Sequence, residues 1–419
     1  MRNIKNILKK SLILSFLIII IYGLYNIFSY STLPDTGSLP INVGVTDGQY
    51  LNEIAEAQKY LKSIPKALNV PSFSVAVGIK GEIVWSEAIG LRNIQNKVEA
   101  TTNTIYRIGS TSKAVTSTLS AKLFEEGLLD LEYEISNEIN NFPKKEWKIT
   151  PRQLLSHSAG IPDYEDLRIH GLYSVLCNCR NYPSVTESLD IFNDVELQYE
   201  PNKSYEYSSF DFVLLSAYLE KITSTDFLAL LNQKVFHPLS MDNTFGDHSQ
   251  YAKGEMASFY ETKGCKYRKW KTFGFIPNEI DLSYKWAGGG FMSTPTDLVK
   301  MGNAILSDST FLSENTLSVF FKPQRLSDGK INPQKYALGW RSYEKYKHEA
   351  IQEEVWMVHH GGVSKGSMNF LVLFPDYNMV INASINTRTE DFLLFWDEVM
   401  ELASFFLNSE LKSDGKNKS

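Results

Sequence analysis

The feature that most constrains the fold is the placement of strand-like runs near both ends of the chain. These runs are residues 73–79, 83–89, 367–374 and 379–385. Residues 80–81 (Lys-Gly) join the first pair as a tight turn, and residues 375–378 (Pro-Asp-Tyr-Asn) join the second as a hairpin loop. The sequence between the pairs is mainly helical in pattern. We therefore predict an α/β (α+β) fold: an antiparallel sheet flanked by helices, built from both chain ends, with an inserted helical lobe.

The same pattern divides the chain into segments. We predict a polar linker at 31–47, a globular domain at 48–408 and a solvated polar tail at 409–419. Within the domain, the sheet is expected from about 70–109 and 335–408, and the helical lobe from about 110–334. Periodicity predicts helices at 47–68, 212–222 and 392–407, and further strands at 336–340 and 355–360. A site is expected in the cleft between sheet and lobe.

Composition excludes some classes of function. A chain of 419 residues with 43% hydrophobic content can bury a full core, and a net charge of −6 argues against a nucleic-acid partner. Three cysteines, Cys177, Cys179 and Cys265, leave open a free pair or one optional disulfide. No cofactor motif is recognised. His359 and His360 would point to opposite faces of a strand, so no metal site is predicted.

The N-terminus has the pattern of a membrane anchor. Basic residues within 1–10 precede an uncharged, apolar run at 11–28. At about 1.5 Å per residue this run covers most of a hydrocarbon core about 30 Å thick. The positive flank predicts a cytoplasmic segment at 1–10, a single transmembrane anchor at 11–30, and export of the remainder of the chain. A cleavable signal peptide is the alternative, although residues 29–31 match a cleavage site poorly.

The strongest candidate for chemistry is Ser110, which lies one helical turn before Lys113. The Ser-x-x-Lys pattern also begins at Ser63, Ser327, Ser342, Ser409 and Ser413, so spacing alone is weak. Ser110, however, follows a short strand-like run and opens a predicted helix that ends at Gly127. A helix N-terminus favours developing negative charge, and a desolvated lysine can accept the proton of a serine hydroxyl. The alternative is a capping serine followed by a solvated lysine.

Two further motifs supply candidate partners. Tyr207 precedes the helix predicted at 212–222, and a tyrosinate beside Lys113 could relay protons; the alternative is a packing tyrosine. The tripeptide His360-Gly361-Gly362 ends a strand-like run, and its glycines would let a substrate lie along a strand edge; the alternative is an ordinary turn.

Together these motifs resemble those of the serine β-lactamase-like hydrolases, which include class C β-lactamases, DD-peptidases and related esterases. Further segments are similar to that family, and the resemblance covers about residues 54–407. They are ITPRQLLSHSAGIP at 149–162, VFHPLSM at 235–241 and YKWAGGGFMST at 284–294. The last segment is especially similar to the branch of mitochondrial serine β-lactamase-like proteins and their bacterial relatives. The resemblance implies a β-lactamase/transpeptidase-like fold.

The resemblance also implies roles. Ser110 would attack a carbonyl, and Lys113 with Tyr207 would move its proton. The N–H groups of Ser110 and Val363 would hold the oxyanion, and water would release the acyl group. His360 stands where many members have the lysine of Lys-Thr-Gly.

The sequence departs from the family at two positions that bear on β-lactams. Ser209 replaces an asparagine whose amide contacts the substrate, and Gly361 replaces the threonine of Lys-Thr-Gly. Both changes weaken the case for efficient β-lactam hydrolysis. His157 is interpreted as structural.

Three hypotheses follow for the function. The first is a membrane-anchored, exported serine hydrolase that cleaves an ester or a peptide-like amide of a small molecule or peptide. The anchor and the resemblance together imply its location: the inner (cytoplasmic) membrane, with the catalytic domain in the periplasm. The second is a true β-lactamase or a peptidoglycan DD-peptidase, and the third is a non-catalytic scaffold that kept the fold. The acyl group, the leaving group and the oligomeric state are left open. Specificity is expected around 171–193 and 264–281.

Overall fold

The computed structural model describes residues 2–28, 31–32, 38–139, 142–163, 181–247, 255–263, 266–269 and 282–417. The strands are β1 Ser31–Thr32, β2 Ile41–Thr46, β3 Ser72–Ile79, β4 Glu82–Asn93, β5 Val98–Glu99, β6 Tyr106–Arg107, β7 Phe245–Gly246, β8 Tyr260–Lys263, β9 Lys266–Lys269, β10 Phe291–Ser293, β11 Arg341–Tyr346, β12 Val355–Ser364, β13 Ser367–Phe374 and β14 Met379–Ile385. The helices are α1 Arg2–Phe28, α2 Leu51–Leu61, α3 Ile64–Leu68, α4 Ser112–Glu125, α5 Pro151–Leu155, α6 Val185–Ser188, α7 Ser209–Thr223, α8 Phe227–Leu231, α9 Trp286–Gly289, α10 Pro295–Ser307, α11 Glu314–Phe320 and α12 Phe392–Asn417.

The main sheet combines strands from both ends of the chain. Its order is β11-β12-β13-β14-β3-β4-β2, with β5 paired to β4, and all of these neighbours are antiparallel. The central contact joins β14 to β3, where Met379 lies opposite Ile79. The predicted fold class is confirmed: an antiparallel sheet built from both chain ends, flanked by helices.

The central strands are buried on both faces because helices cover each side of the sheet. Every residue of β3, β13 and β14 is buried. Helix α10 packs on β3 and β14 from one side, where the core continues into the helical lobe. Helices α2 and α12 cover the other side and enclose a second core. Strands buried on both faces read as continuous apolar runs, which is why they were visible in the sequence.

Turn chemistry fixes the two hairpins that the sequence predicts. Lys80 and Gly81 both have positive φ, 53° and 91°, as a two-residue turn between twisted strands requires. In the second hairpin, residues Pro375–Tyr377 form a 3-10 turn, and Asn378 follows in the left-handed conformation with φ 45°.

One predicted strand is wrong. Tyr336 makes only an isolated antiparallel bridge with Arg341, residues 338–340 form a bend between them, and β11 begins at Arg341. The break occurs at Gly339, whose φ is +85°. A Cβ there would collide with the side chain of Ser117, so the glycine lets this turn pack against α4.

Three other boundaries differ from the sequence prediction. The helix expected at 47–68 is divided into a 3-10 turn, α2 and α3, with Pro65 in the first turn of α3. Residues 41–46, expected to lie in the linker, form the edge strand β2. The last helix continues beyond 407 to Asn417.

The predicted transmembrane anchor at 11–30 is contradicted. Crossing a bilayer requires about 20 predominantly apolar residues in one helix. Over the ranges that the structure describes, no helix meets the length and apolarity that a membrane span needs. The three cysteines lie outside the described residues, as do 171–180 of the first segment expected to carry specificity and 264–265 and 270–281 of the second.

Candidate active site

A tight 3-10 turn, Gly109–Thr111, places Ser110 immediately before α4. Gly109 has φ +52°, and a Cβ on it would lie 2.6–2.8 Å from backbone atoms of Val363. The turn is therefore pressed against β12, and glycine is required by both its conformation and its contacts. The Ser110 side chain is half-buried, so its hydroxyl is accessible at the start of the helix.

Lys113 lies one turn along α4, and its ammonium position is enclosed. The side chain has no exposed surface. Its Nζ lies 3.4 Å from Ser110 Oγ, 3.3 Å from Ser209 Oγ and 2.5 Å from Gly288 O. Burial lowers the pKa of Lys113 from 10.5 to about 7. Since Gly288 O can only accept, a neutral Lys113 donates one N–H there and keeps its lone pair for a hydroxyl such as that of Ser110.

Tyr207 covers Lys113 and contacts Ser110. The Lys113 Nζ lies 4.7 Å from the centre of the Tyr207 ring. The Tyr207 hydroxyl is hydrogen-bonded to Ser110, but burial raises the pKa of Tyr207 above its ordinary value. The phenol is therefore protonated near neutral pH, and the tyrosinate considered from the sequence is not favoured. Lys113 is the better base, and Tyr207 is suited to donate.

His157 and Asp211 form a buried pair, and the His157 ring packs against the ring of Tyr207. His157 Nδ1 lies 2.7 Å from Asp211 Oδ2 and accepts from Ser208 N–H at 3.3 Å. Because Ser208 N–H can only donate, Nδ1 is the unprotonated ring nitrogen, and the proton in its contact with Asp211 belongs to the carboxyl group. Burial, which raises the pKa of Asp211 and lowers the pKa of His157, favours this neutral pair. The imidazole packs 4.3 Å from the centre of the Tyr207 ring. His157 thus contacts a candidate catalytic side chain, and it does so through packing.

His360 lies in the site, but both of its ring nitrogens bond within the protein. Nδ1 lies 2.8 Å from Gly361 O and must donate, because a carbonyl only accepts. Nε2 is then the acceptor for the hydroxyl of Tyr336, 2.9 Å away. Burial and nearby positive charge hold the pKa of His360 well below its usual range. With Nδ1 donating and Nε2 accepting, the ring of His360 is neutral and brings no positive charge to the site.

The glycines after His360 let β12 approach the nucleophile turn. A Cβ on Gly362 would collide with Ile108 O and lie 2.8 Å from Thr111 N. Thr111 Oγ1 donates to His360 O at 3.3 Å. The backbone of Val363, the second expected oxyanion donor, is thereby placed beside Gly109.

The edge of β12 near the nucleophile is not covered by its neighbour. Strand β11 starts at Arg341, which pairs with His359, and it runs away from the nucleophile turn. Residues 361–364 pair only with β13 on the other side, within the described residues. A substrate strand could therefore lie along this edge, as the sequence suggested.

Ser209 brings a hydroxyl to the position where the resemblance led us to compare it with an asparagine amide. Its Oγ contacts Lys113 Nζ, and its N–H donates to Asp163 Oδ1 at 2.9 Å. The side chain is thus committed to the lysine, and it offers no amide to a substrate.

Three cationic residues near the site were missed by the sequence reasoning. The Arg341 guanidinium carbon lies 5.8 Å from the centre of the Tyr207 ring. Lys285 and Lys365 each have a pKa lowered to about 8, by burial and by neighbouring positive charges. Lys285 lies in the family-like segment 284–294, which gave a signal in the sequence. Arg341 gave none, because the register of β11 on β12 places it, and Lys365 lies in the turn between β12 and β13.

No cluster of three or more His, Cys, Asp or Glu side chains with metal-binding geometry is found in the part of the chain that the structure describes. His359 is buried among aromatic rings, with Trp396 4.6 Å away between ring centres.

Comparison with known proteins gives a family match over most of the chain. A family model described as Beta-lactamase matches residues 57–403. The human protein described as "Serine beta-lactamase-like protein LACTB, mitochondrial" is 27% identical over 410 residues, covering 78% of this chain and 73% of the relative.

Solved structures share the fold. The D-amino acid amidase from Ochrobactrum anthropi SV3 superposes with a TM-score of 0.67 at 22% identity, covering 86% of this chain and 99% of the amidase. An octameric penicillin-binding protein homologue from Pyrococcus abyssi gives 0.63 at 21% identity, covering 84% of this chain and 77% of the homologue.

The location predicted from the N-terminus is contradicted as well. The name of the human relative places that protein in mitochondria, and the described helices include no candidate membrane span. The predicted single-pass protein of a bacterial inner membrane, with its domain in the periplasm, is therefore wrong.

Proposed function

Because this chain belongs to the beta-lactamase family of serine hydrolases, we propose that it cleaves an ester or a peptide-like amide through an acyl-enzyme on Ser110. The observation that carries the proposal is the contact between Ser110 Oγ and a buried lysine whose pKa is lowered to about 7. A serine hydroxyl becomes a useful nucleophile only when a nearby base can take its proton.

In the acylation step, neutral Lys113 takes the proton of Ser110 as Oγ attacks the substrate carbonyl. The N–H groups of Ser110 and Val363 stabilise the resulting oxyanion. When the intermediate collapses, the Tyr207 hydroxyl protonates the leaving group, and the Lys113 ammonium returns a proton to Tyr207. The bond to the leaving group breaks, and an ester on Ser110 remains.

In the deacylation step, Lys113 takes a proton from water as the water attacks the Ser110 ester. The intermediate collapses, Ser110 recovers its proton, and the acid product leaves. Every proton is returned, so no cofactor is required by the reaction as written.

The narrower alternatives receive less support from the site. Ser209 binds Lys113 through its hydroxyl, and it lacks the amide expected of an efficient β-lactamase or DD-peptidase. Burial of the Lys113 amine costs free energy of folding, and a non-catalytic scaffold would gain no activity in return. Oligomeric assembly is compatible with every alternative.

The proposal is tested by covalent labelling with a fluorophosphonate, read by intact mass. We expect one adduct on the full-length protein and none on Ser110→Ala. Ser327→Ala is a matched control, because Ser327 and Lys330 have the same spacing on an exposed segment. Absence of an adduct on folded protein, or an adduct that survives Ser110→Ala, would contradict the proposal.

Penicillin then separates the alternatives. Acylation of Ser110 with fast release would identify a β-lactamase, and slow release a DD-peptidase-like site. We expect no efficient acylation, together with turnover of simple esters. Oligomeric assembly without labelling or ester turnover would instead favour the scaffold.

A further inference from the structure

His157 is buried behind Tyr207 in a conformation that costs stability. The residue has no exposed surface, and its backbone φ is +57°, a left-handed value that non-glycine residues adopt only at a cost. With Nδ1 unprotonated, Nε2 carries the ring proton, and this nitrogen has no hydrogen-bond partner among the described residues. A buried N–H without a partner is also unfavourable. These two costs point to a role beyond packing.

The segment that carries Tyr207 has little regular structure of its own. Residues 204–208 belong to neither a helix nor a strand. His157 holds this segment on both sides of the tyrosine. Its backbone oxygen accepts from Glu206 N–H at 3.1 Å, and its Nδ1 accepts from Ser208 N–H at 3.3 Å. Between these two hydrogen bonds, the imidazole packs against the Tyr207 ring.

Asp211 fixes the orientation of the imidazole. It lies in the first turn of α7, and its Oδ2 is 2.7 Å from His157 Nδ1. The imidazole also contacts Tyr336, with the ring centres 4.7 Å apart. A displaced imidazole would therefore displace Tyr207, whose hydroxyl is hydrogen-bonded to Ser110.

We propose that His157 is a positioning residue for the protonation of the leaving group. Together with Asp211, it fixes the segment around Tyr207, so that the tyrosine hydroxyl stays in reach of Ser110 and of the departing oxygen. His157 transfers no proton itself. This inference rests on the proposed function, because Tyr207 is the proton donor proposed there. It gives a task in the reaction to a residue that the sequence led us to interpret as structural.

The test compares two neutral acetate esters with the full-length protein. The 4-nitrophenolate of 4-nitrophenyl acetate is a stable anion and leaves without a proton. Benzyl acetate loses an alkoxide, so its C–O bond breaks efficiently only when the Tyr207 hydroxyl gives its proton to the departing oxygen, which leaves as benzyl alcohol. Both esters form the same acetyl-enzyme on Ser110. The measured quantity is kcat/KM for benzyl acetate divided by kcat/KM for 4-nitrophenyl acetate, here called the ester ratio.

A substitution of His157 should lower the ester ratio through Tyr207. His157→Asn removes the ring, and asparagine tolerates the left-handed backbone. Because misplacement of a catalytic group is costly, we expect the ester ratio to fall by about tenfold to a hundredfold, as it should in Tyr207→Phe. In the Tyr207→Phe background, His157→Asn should lower the ester ratio no further. His237→Asn, which changes an exposed histidine, is the matched control and should keep the wild-type value.

Asp211 gives a second comparison that leaves the imidazole in place. Asp211→Leu has a similar volume but no donor to His157 Nδ1, so the ester ratio should fall. Asp211→Asn keeps an N–H donor and should restore most of it. NMR of the histidine ring nitrogens in the wild-type protein needs no variant, and it should find His157 neutral with its proton on Nε2.

Several results would overturn the inference. One is an unchanged ester ratio in folded His157→Asn, Asp211→Leu or Tyr207→Phe. Equal losses on both esters would mean that His157 only maintains the fold. A proton on Nδ1 in the wild type would remove the acceptor of Ser208 N–H and would overturn it as well. Failure of both esters to react, together with absence of fluorophosphonate labelling, would instead refute the proposed function itself.

Discussion

The protonation of Lys113 gives a prediction that can be worked out from the structure. Burial lowers its pKa from 10.5 to about 7. Each pKa unit corresponds to 1.36 kcal/mol, so the buried ammonium is disfavoured by about 5 kcal/mol. Near pH 7 about half of the enzyme then carries a neutral lysine, whereas an ordinary lysine would be neutral in only about 3 molecules in 10,000.

The assay is kcat/KM for a neutral aryl ester, measured from pH 5 to pH 9 and corrected for background hydrolysis. We expect a single rising ionisation near pH 7, with a loss of about 50-fold between pH 7 and pH 5 and a plateau above pH 8. The plateau should persist because burial raises the pKa of Tyr207 out of this range. Constancy from pH 5 to pH 9, or a midpoint at pH 9 or above, would refute the reasoning.

Two variants that each remove one charge near Lys113 should move the midpoint of the pH profile in opposite directions. The negative charge of Asp163 raises the pKa of Lys113, and the positive charge of Arg341 lowers it. The midpoint should therefore fall in Asp163→Asn and rise in Arg341→Gln. If both variants shift it the same way, a change in general burial is responsible, and the electrostatic explanation fails.

The remaining predictions concern stability. Between pH 7 and about pH 10 the unfolded chain holds the Lys113 proton that the folded protein has lost. The free energy of unfolding should therefore rise with pH by up to about 1.4 kcal/mol per pH unit. Denaturant melts at several pH values should show this slope in the wild type and lose it in Lys113→Met. Gly362→Ala should cost about 3 kcal/mol or more because its Cβ meets backbone, whereas Gly329→Ala, at φ +81° with nothing within 4 Å, should cost about 1 kcal/mol; similar losses in thermal melts would contradict this difference. Asp211→Asn should stay within about 1 kcal/mol of wild type, because an amide N–H can replace the carboxylic acid as donor, and Asp211→Ala should cost more; a large loss in Asp211→Asn would mean that the pair is ionised.

The parts of the fold that the sequence predicted are those fixed by local pattern. The hairpins around Gly81 and Asn378 follow from turn residues between apolar runs, and Ser110 and Lys113 are joined by one helical turn. What the sequence could not supply depends on pairing between distant segments. The register of β11 on β12 brings Arg341 to the site, and the Tyr336 hydroxyl reaches His360 across a turn that was expected to be a strand.

The pairing of β3 with β14 has a consequence for how the protein is made. Ile79 meets Met379, roughly 300 residues later, at the centre of the sheet. During synthesis the N-terminal strands must wait for the last part of the chain, which also carries β12 and the backbone that presses on the nucleophile turn. Pairings of such long range form slowly. A nascent or C-terminally truncated chain would thus hold Ser110 without its oxyanion partner, and hydrolytic activity would begin only after synthesis is complete.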